Sequence, residues 1–124
     1  MSRLTIRVDF EPGHALGPGK VSLLEQVEAT GSIRGAASAL KMSYRRAWLL
    51  LQALEETFEG PLIDTATGGA RGGGASLTQL GKRVVRLYRA MEQNAAAATV
   101  SQARALAHSR YSKPKKPRKS YKNR

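Results

Sequence analysis

Residues 4 to 10, LTIRVDF, alternate strictly between apolar and polar. Leu4, Ile6, Val8 and Phe10 fall on one face and Thr5, Arg7 and Asp9 on the other, which predicts a half-buried strand. EPGHALGPGK follows and reads as a loop, rich in glycine and proline. The period then changes. Val21, Leu24 and Val27 repeat at helical spacing, with Pro18 suited to the first turn and Gly31 to the stop. Ser32 is an N-cap for a short helix carrying Ile33, Ala36, Ala37 and Leu40. Lys41 and Met42 turn the chain. Ser43 caps a longer amphipathic helix of Ala47, Leu50, Leu51, Leu54 and Phe58, and Met42 can pack on Ala47 as a staple. Short helix, tight turn and longer helix make the spacing of a helix-turn-helix.

Two short strands come next. LIDTAT leads into a run holding Gly68, Gly69, Gly72, Gly73 and Gly74 around Arg71, and ASLT returns. A phosphate-gripping loop needs Gly-Lys-Ser/Thr entering a helix, and this run has no lysine. A plain linker does not fit either, because pairable strands bracket it. The remaining reading is a hairpin tip directly after a helix-turn-helix: a wing. Thr78 then caps a helix in which Leu80, Val84, Leu87, Met91, Ala95 and Ala98 step by three or four. It runs from about Gln79 into the AAAATV region and as far as His108 at most, where thirty residues would span roughly 45 Å. One small core cannot cover that length, so the helix is expected to dimerise.

The pattern therefore predicts a mainly α fold with a small β wing. It is a winged helix-turn-helix with an N-terminal strand and a long C-terminal dimerisation helix.

Composition adds the partner. The 124 residues carry 21 Lys and Arg against nine Asp and Glu, a net charge of +12, which favours a polyanion. Eight of the cations lie in residues 109–124, SRYSKPKKPRKSYKNR, with no acid. Taking those eight from +12 leaves +4 for residues 1–108. That division predicts a DNA-binding domain over 1–108 and a disordered basic tail over 109–124. There is no cysteine, so disulfides and thiolate metal sites are excluded. With no apolar run of membrane-spanning length and no signal-peptide pattern, a cytoplasmic protein is expected.

No catalytic constellation emerges. His14 and His108 are far apart and lack evident carboxylate partners, and Glu55, Glu56 and Glu59 read as a solvated or packing face. No enzyme activity, cofactor or metal is expected. Binding has more to offer. The second helix of the motif opens Ser43-Tyr44-Arg45-Arg46, and a recognition helix presents its first residues to base edges. Arginine there can form bidentate bonds to guanine, and serine or tyrosine can reach bases or phosphates. Lys41 in the turn adds a cation, and Ser32 and Arg34 open the preceding helix. Arg71 with Gly72 and Gly73 would let the wing lie close to a backbone. Trp48 is read as a core or interface anchor. Lys82, Arg86 and Arg89 form a basic stripe, either solvated or on the DNA backbone.

SLLEQVEATGSIRGAASALKMSYRRAWLLLQALEETF, followed by PLIDTATGGARGGGASLTQLGKRVVRLYRAME, resembles the N-terminal DNA-binding domain of the ModE family of molybdate-responsive transcriptional regulators, over about residues 4 to 98. GSI, MSYRRAW, the glycine-rich wing and LGKRVVRLY carry the resemblance. It implies a winged helix that dimerises on palindromic double-stranded DNA, with Ser43, Tyr44, Arg45 and Arg46 in the major groove and Arg71 near the backbone or minor groove. ModE continues into an oxyanion-binding domain that this chain does not match, so molybdate or tungstate binding is not expected. Lys41 stands where many helix-turn-helix motifs have glycine, and a left-handed backbone there would imply strain of order 1 kcal/mol. The reading is a homodimeric, sequence-specific regulator of the ModE/LysR-like winged-helix type. Its rivals are a nucleoid-associated DNA-compacting protein of low specificity and an RNA-binding module.

Overall fold

The computed structural model describes residues 2–66 and 74–110. Nine elements follow in order: β1 (Val8–Glu11), β2 (His14–Leu16), α1 (Pro18–Thr30), α2 (Ile33–Ala39), α3 (Tyr44–Thr57), β3 (Ile63–Ala66), β4 (Gly74–Leu77), α4 (Gln79–Ala98) and α5 (Val100–Ser109). Two separate antiparallel pairs, β1 with β2 and β3 with β4, flank the helices.

The N-terminal alternation is only partly a strand. Pairing begins at Val8, and the segment expected as a loop holds β2. Pro12-Gly13 closes the pair, with Gly13 at φ 84, which suits a Pro-Gly tight turn. The register shifts between Asp9 and Glu11. Of the predicted inward face, Ile6 and Val8 pack against the core while Leu4 stays exposed. Phe10 is half exposed, yet it meets Phe58 edge to face at 5.6 Å.

The helix signals act where the residues predict. Gly31 takes φ 80 after α1 and donates its N–H to the carbonyl of Val27. Ser32 accepts from Gly35 N–H at 2.8 Å, Ser43 from Arg46 N–H at 3.0 Å, and Thr78 from Gly81 N–H at 3.0 Å. The turn between α2 and α3 is left-handed at Lys41, φ 58. There Lys41 N–H reaches Ser38 O and Met42 N–H reaches Ala37 O, the paired bonds of a Schellman end. Glycine ordinarily fills that position; lysine leaves about 1 kcal/mol of strain.

The core gathers Val21, Leu23, Leu24 and Val27 of α1 with residues of every later element through α4. α1 is the hub: it packs on α2, α3, α4 and β4. Tyr88 of α4 is 1% exposed and donates its hydroxyl to Ile6 O at 2.7 Å, tying the N-terminal segment to the last helical layer. Burial, and then the negative charge of Glu92, hold its pKa above the ordinary 10.0. Arg89 binds Glu25 of α1 at 2.8 Å and Glu92 of its own helix at 2.6 Å. It therefore staples α4 to α1 instead of joining a solvated basic stripe; the bonds to Glu25 and then Glu92 push its pKa above the usual arginine range.

The last long helix ends at Ala98, within AAAATV as expected, and the outer limit at His108 is reached by a second helix, α5. Thr99 leaves helical geometry at φ −118, ψ 19, and its N–H turns to Ala96 O. Its hydroxyl donates back to Ala95 O at 2.7 Å, a β-branched side chain competing with the helix ladder. Residues 67–73, which hold the glycine run apart from Gly74, and the tail beyond Arg110 lie outside the described residues.

This packing can be tested at Gly81 and Tyr88. A Cβ on Gly81 would lie 2.2 Å from the Leu62 carbonyl oxygen, a backbone atom with no rotamer to escape into. Gly81→Ala should lower unfolding stability by about 2–3 kcal/mol or more, read from urea melts; an unchanged midpoint would show that α4 can move away from β3. For Tyr88 the folded pKa lies above the unfolded one, so its contribution is full below pH 10 and fades as pH rises through the folded value. Tyr88→Phe should lose about 0.5–1.5 kcal/mol at neutral pH and melt with a shallower alkaline decline than the parent.

Candidate nucleic-acid interface

α3 buries Ala47, Leu51 and Leu54 against the bundle and exposes the opposite side. Its first turn stands clear: Ser43, Tyr44, Arg45 and Arg46 are all exposed. No acidic residue occurs between Ile33 and Leu54, whereas Arg34, Lys41, Arg45 and Arg46 do. The positive end of the helix dipole coincides with this cationic turn. Ser43 spends its oxygen as the cap acceptor but keeps a proton to donate outward. Ser32 is likewise engaged as a cap, half-buried at the head of α2.

Arg34 and Tyr44 come together across the motif. The guanidinium carbon lies 4.9 Å from the ring centroid. This cation–π contact fixes two exposed side chains and leaves the guanidinium edge for a phosphate or base. Lys41 is exposed at the turn. The structure thus places seven of the ten expected site residues, Ser32, Arg34, Lys41 and Ser43 to Arg46, on α2, the turn and the start of α3. Arg71, Gly72 and Gly73 lie outside the described residues.

The base of the wing stands beside this surface. A cleft of about 270 Å³ opens between Ser32, Arg34 and Tyr44 on one side and Thr65, Ala66 and Gly74 on the other. It continues into a second, about 310 Å³, where Trp48 and Leu51 face Pro61 and Ile63. Ile33 and Thr65 border both. Trp48 is 46% exposed, so of the two expected places, core or interface, it is not in the core: it edges the groove between α3 and β3.

Side chains that sequence reasoning undervalues hold the wing in place. β3 and β4 pair Ile63 with Leu77 and Thr65 with Ala75. The N–H groups at the outer edges need other partners. Glu55 accepts from Leu62 N–H at 3.1 Å and from Ile63 N–H at 3.4 Å. Glu28 accepts from Leu77 N–H at 2.8 Å, and Gly31 O from Ala75 N–H at 2.7 Å. One strand is pegged to α3 and the other to α1. Nothing in EETFEG marks Glu55 for this role, since Glu56 and Glu59 look equivalent. His14 finds Thr57 at 3.2 Å, and no cluster of three metal-ligating side chains occurs among the described residues. No described helix is long and apolar enough to cross a membrane.

A capped, cationic second helix beside a two-stranded wing defines a winged helix-turn-helix DNA-binding domain. Residues 19–82 match the bacterial regulatory helix-turn-helix proteins of the lysR family, and the chain belongs to that family. It is 39% identical over 85 residues to the molybdenum transport protein ModE of Azotobacter vinelandii, covering 68% of this chain and 32% of that one. It is 33% identical over 92 residues to the transcriptional regulator ModE of Haemophilus influenzae, covering 74% and 36%. With the DNA-binding transcriptional dual regulator ModE of Escherichia coli the identity is 38% over 76 residues, covering 61% and 29%. The resemblance to ModE read from the sequence therefore holds, and the chain spans about a third of the length of these relatives.

The pegs make a prediction. Glu28→Ala and Glu55→Ala each strand an edge N–H that water only partly satisfies, and each should lower stability by about 1 kcal/mol while leaving the helical signal intact. Thermal melts followed by far-ultraviolet circular dichroism check this; two unaltered midpoints would mean the wing stands without them.

Proposed function

We propose that this protein is a homodimeric regulator that reads a specific double-stranded DNA site through the start of α3. The observation that carries the reading is the uncovered first turn of α3, where Tyr44, Arg45 and Arg46 are exposed over an N-cap while the opposite side of the helix is sealed into the core. Arg45 and Arg46 offer bidentate bonds to guanine edges, and Ser43, Tyr44, Lys41, Arg34 and Ser32 surround them as phosphate and groove-wall contacts. Arg71, with Gly72 and Gly73 beside it, is assigned to the wing's contact with the DNA backbone. Residues 1–108 would be the DNA-binding domain, and the eight cations of residues 109–124 would add phosphate contacts without reading bases.

Support for dimerisation comes from α4 and α5. Leu87, Met91 and Val100 are each 47% exposed and Leu106 is 73% exposed. A second copy covering that stripe would set two recognition helices on half-sites about 34 Å apart, or a multiple of that. The names of the ModE relatives attach molybdenum transport and transcriptional regulation to those proteins; for this chain we carry over DNA-dependent regulation alone.

The test is a pair of single variants. Arg45→Ala or Arg46→Ala should cost about 1–3 kcal/mol on a site selected from random duplexes and relax the preference at one position. Competition with random DNA and with structured RNA runs alongside. If both variants keep the parent's discrimination, α3 is not the reading helix; if random DNA competes equally, the protein is a compacting one; if RNA competes better, the partner is RNA.

A further inference from the structure

The outward side of α3 is not purely polar. With 100° per residue, the side opposite Ala47, Leu51 and Leu54 carries Arg45, Leu49, Gln52 and Glu56. Leu49 sits one turn beyond Arg45 and is 46% exposed. Trp48 beside it is also 46% exposed, and Tyr44 is 44% exposed. Single exposed apolar residues need no account, but two large ones side by side on a 14-residue helix do. Among the described residues Trp48 meets the lip of the groove toward β3, and both side chains stay about half exposed. Their rim is cationic toward the head of α3, where Arg45 and Arg46 border Leu49 and Arg34 lies on Tyr44, while Gln52, Glu55 and Glu56 follow toward the far end. A patch with such a rim suits a polyanion that itself carries an apolar group.

Duplex DNA has one such group in the major groove, the 5-methyl of thymine. Leu49 has no polar atom to reward a hydrogen-bonding base edge, and Trp48 has one, its indole N–H; a polar edge pressed against Leu49 would be left without a partner. We infer that Leu49 and Trp48 are specificity-determining residues that select thymine by its 5-methyl group, one helical turn from the bases read by Arg45. The arginines would then choose guanine through hydrogen bonds and the apolar pair thymine through burial. The inference rests on the reading of α3 as the DNA-contacting helix, and it adds the residues and the base that the cationic turn does not specify.

The experiment starts from random sequence. The full chain is used to select from two random duplex libraries, one built with thymidine and one with deoxyuridine, which pairs identically but lacks the methyl. With thymidine, the recovered motif should hold thymines adjacent to the positions that Arg45→Ala relaxes. With deoxyuridine, preference at those positions should collapse, and the thymidine motif remade with deoxyuridine should bind about fourfold more weakly for each contacted methyl. Leu49→Ala and Trp48→Ala, both at exposed positions, should each narrow the difference between the two forms of the motif, and the double variant should bind them alike. Trp48 is the chain's single tryptophan, so its emission should shift when the thymidine duplex is added and shift less with the deoxyuridine form. Equal motifs and equal affinities for the parent in both libraries would overturn the inference and leave DNA recognition standing. Enrichment of no motif in either library would overturn the DNA-reading role beneath it. The library comparison with the parent protein decides the matter even if a variant fails to fold.

Discussion

An antiparallel pair of four-residue strands cannot stand in water by its own bonds, and each of its two edges presents N–H groups that its partner does not reach. In this protein those groups dictate where the wing sits. Glu55 takes the β3 edge to α3, while Glu28 and the Gly31 carbonyl take the β4 edge to α1. Thr78 closes the base, donating its N–H to Leu62 O and its hydroxyl to Pro61 O. The same Leu62 carbonyl is the atom that forbids a side chain at Gly81. One small sheet thereby fixes the distance between α1, α3 and α4. The recognition helix and the wing base become parts of one surface instead of two hinged ones.

The helix-turn-helix is then built by short-range chemistry upon that frame. Two serine caps set the first turns of α2 and α3, and a strained lysine in the turn sets the angle between them. Lys41 combines a conformational cost with a position in the cationic surface, a trade that glycine would not offer. The cation–π contact of Arg34 with Tyr44 closes the gap between the heads of the two helices. None of these contacts needs a ligand, so the surface is organised before any partner arrives, which lowers the entropy lost on association.

Much of this is legible in one sequence because it depends on neighbours. Caps, the Gly31 stop, the α2–α3 spacing and the wing strands are local signals, and each falls within a residue or so of its place. The misses have physical causes. The alternation of residues 4 to 10 masks the stronger signal of Pro12-Gly13, which folds β2 back on β1. The stepping of apolar residues stops at Ala98, where α4 ends; the extension toward His108 is interrupted at Thr99, whose hydroxyl bonds back to Ala95 O. Arg89 looks like part of a solvated stripe because its partner Glu25 is 64 residues away. Glu28 is invisible for the same reason, with Leu77 49 residues on, whereas Glu55 bonds its near neighbours Leu62 and Ile63 but looks like Glu56 and Glu59. Gly81 does leave a trace, a glycine inside a strongly periodic helix, which argues for a close backbone approach. Trp48 is expected in the core or at an interface, and its exposure gives the outer side of α3 an apolar character that the arginines conceal.

The central claim is that the first half of α3, the head of α2 and the base of the wing form the DNA face. Backbone amide shifts recorded while a selected duplex is titrated in test it most directly. The account predicts the largest changes at Tyr44 to Leu49, at Ser32 to Arg34 and at Thr65 and Ala66, with α5 little altered. Changes concentrated on α5 and the N-terminal segment, with α3 unmoved, would contradict it.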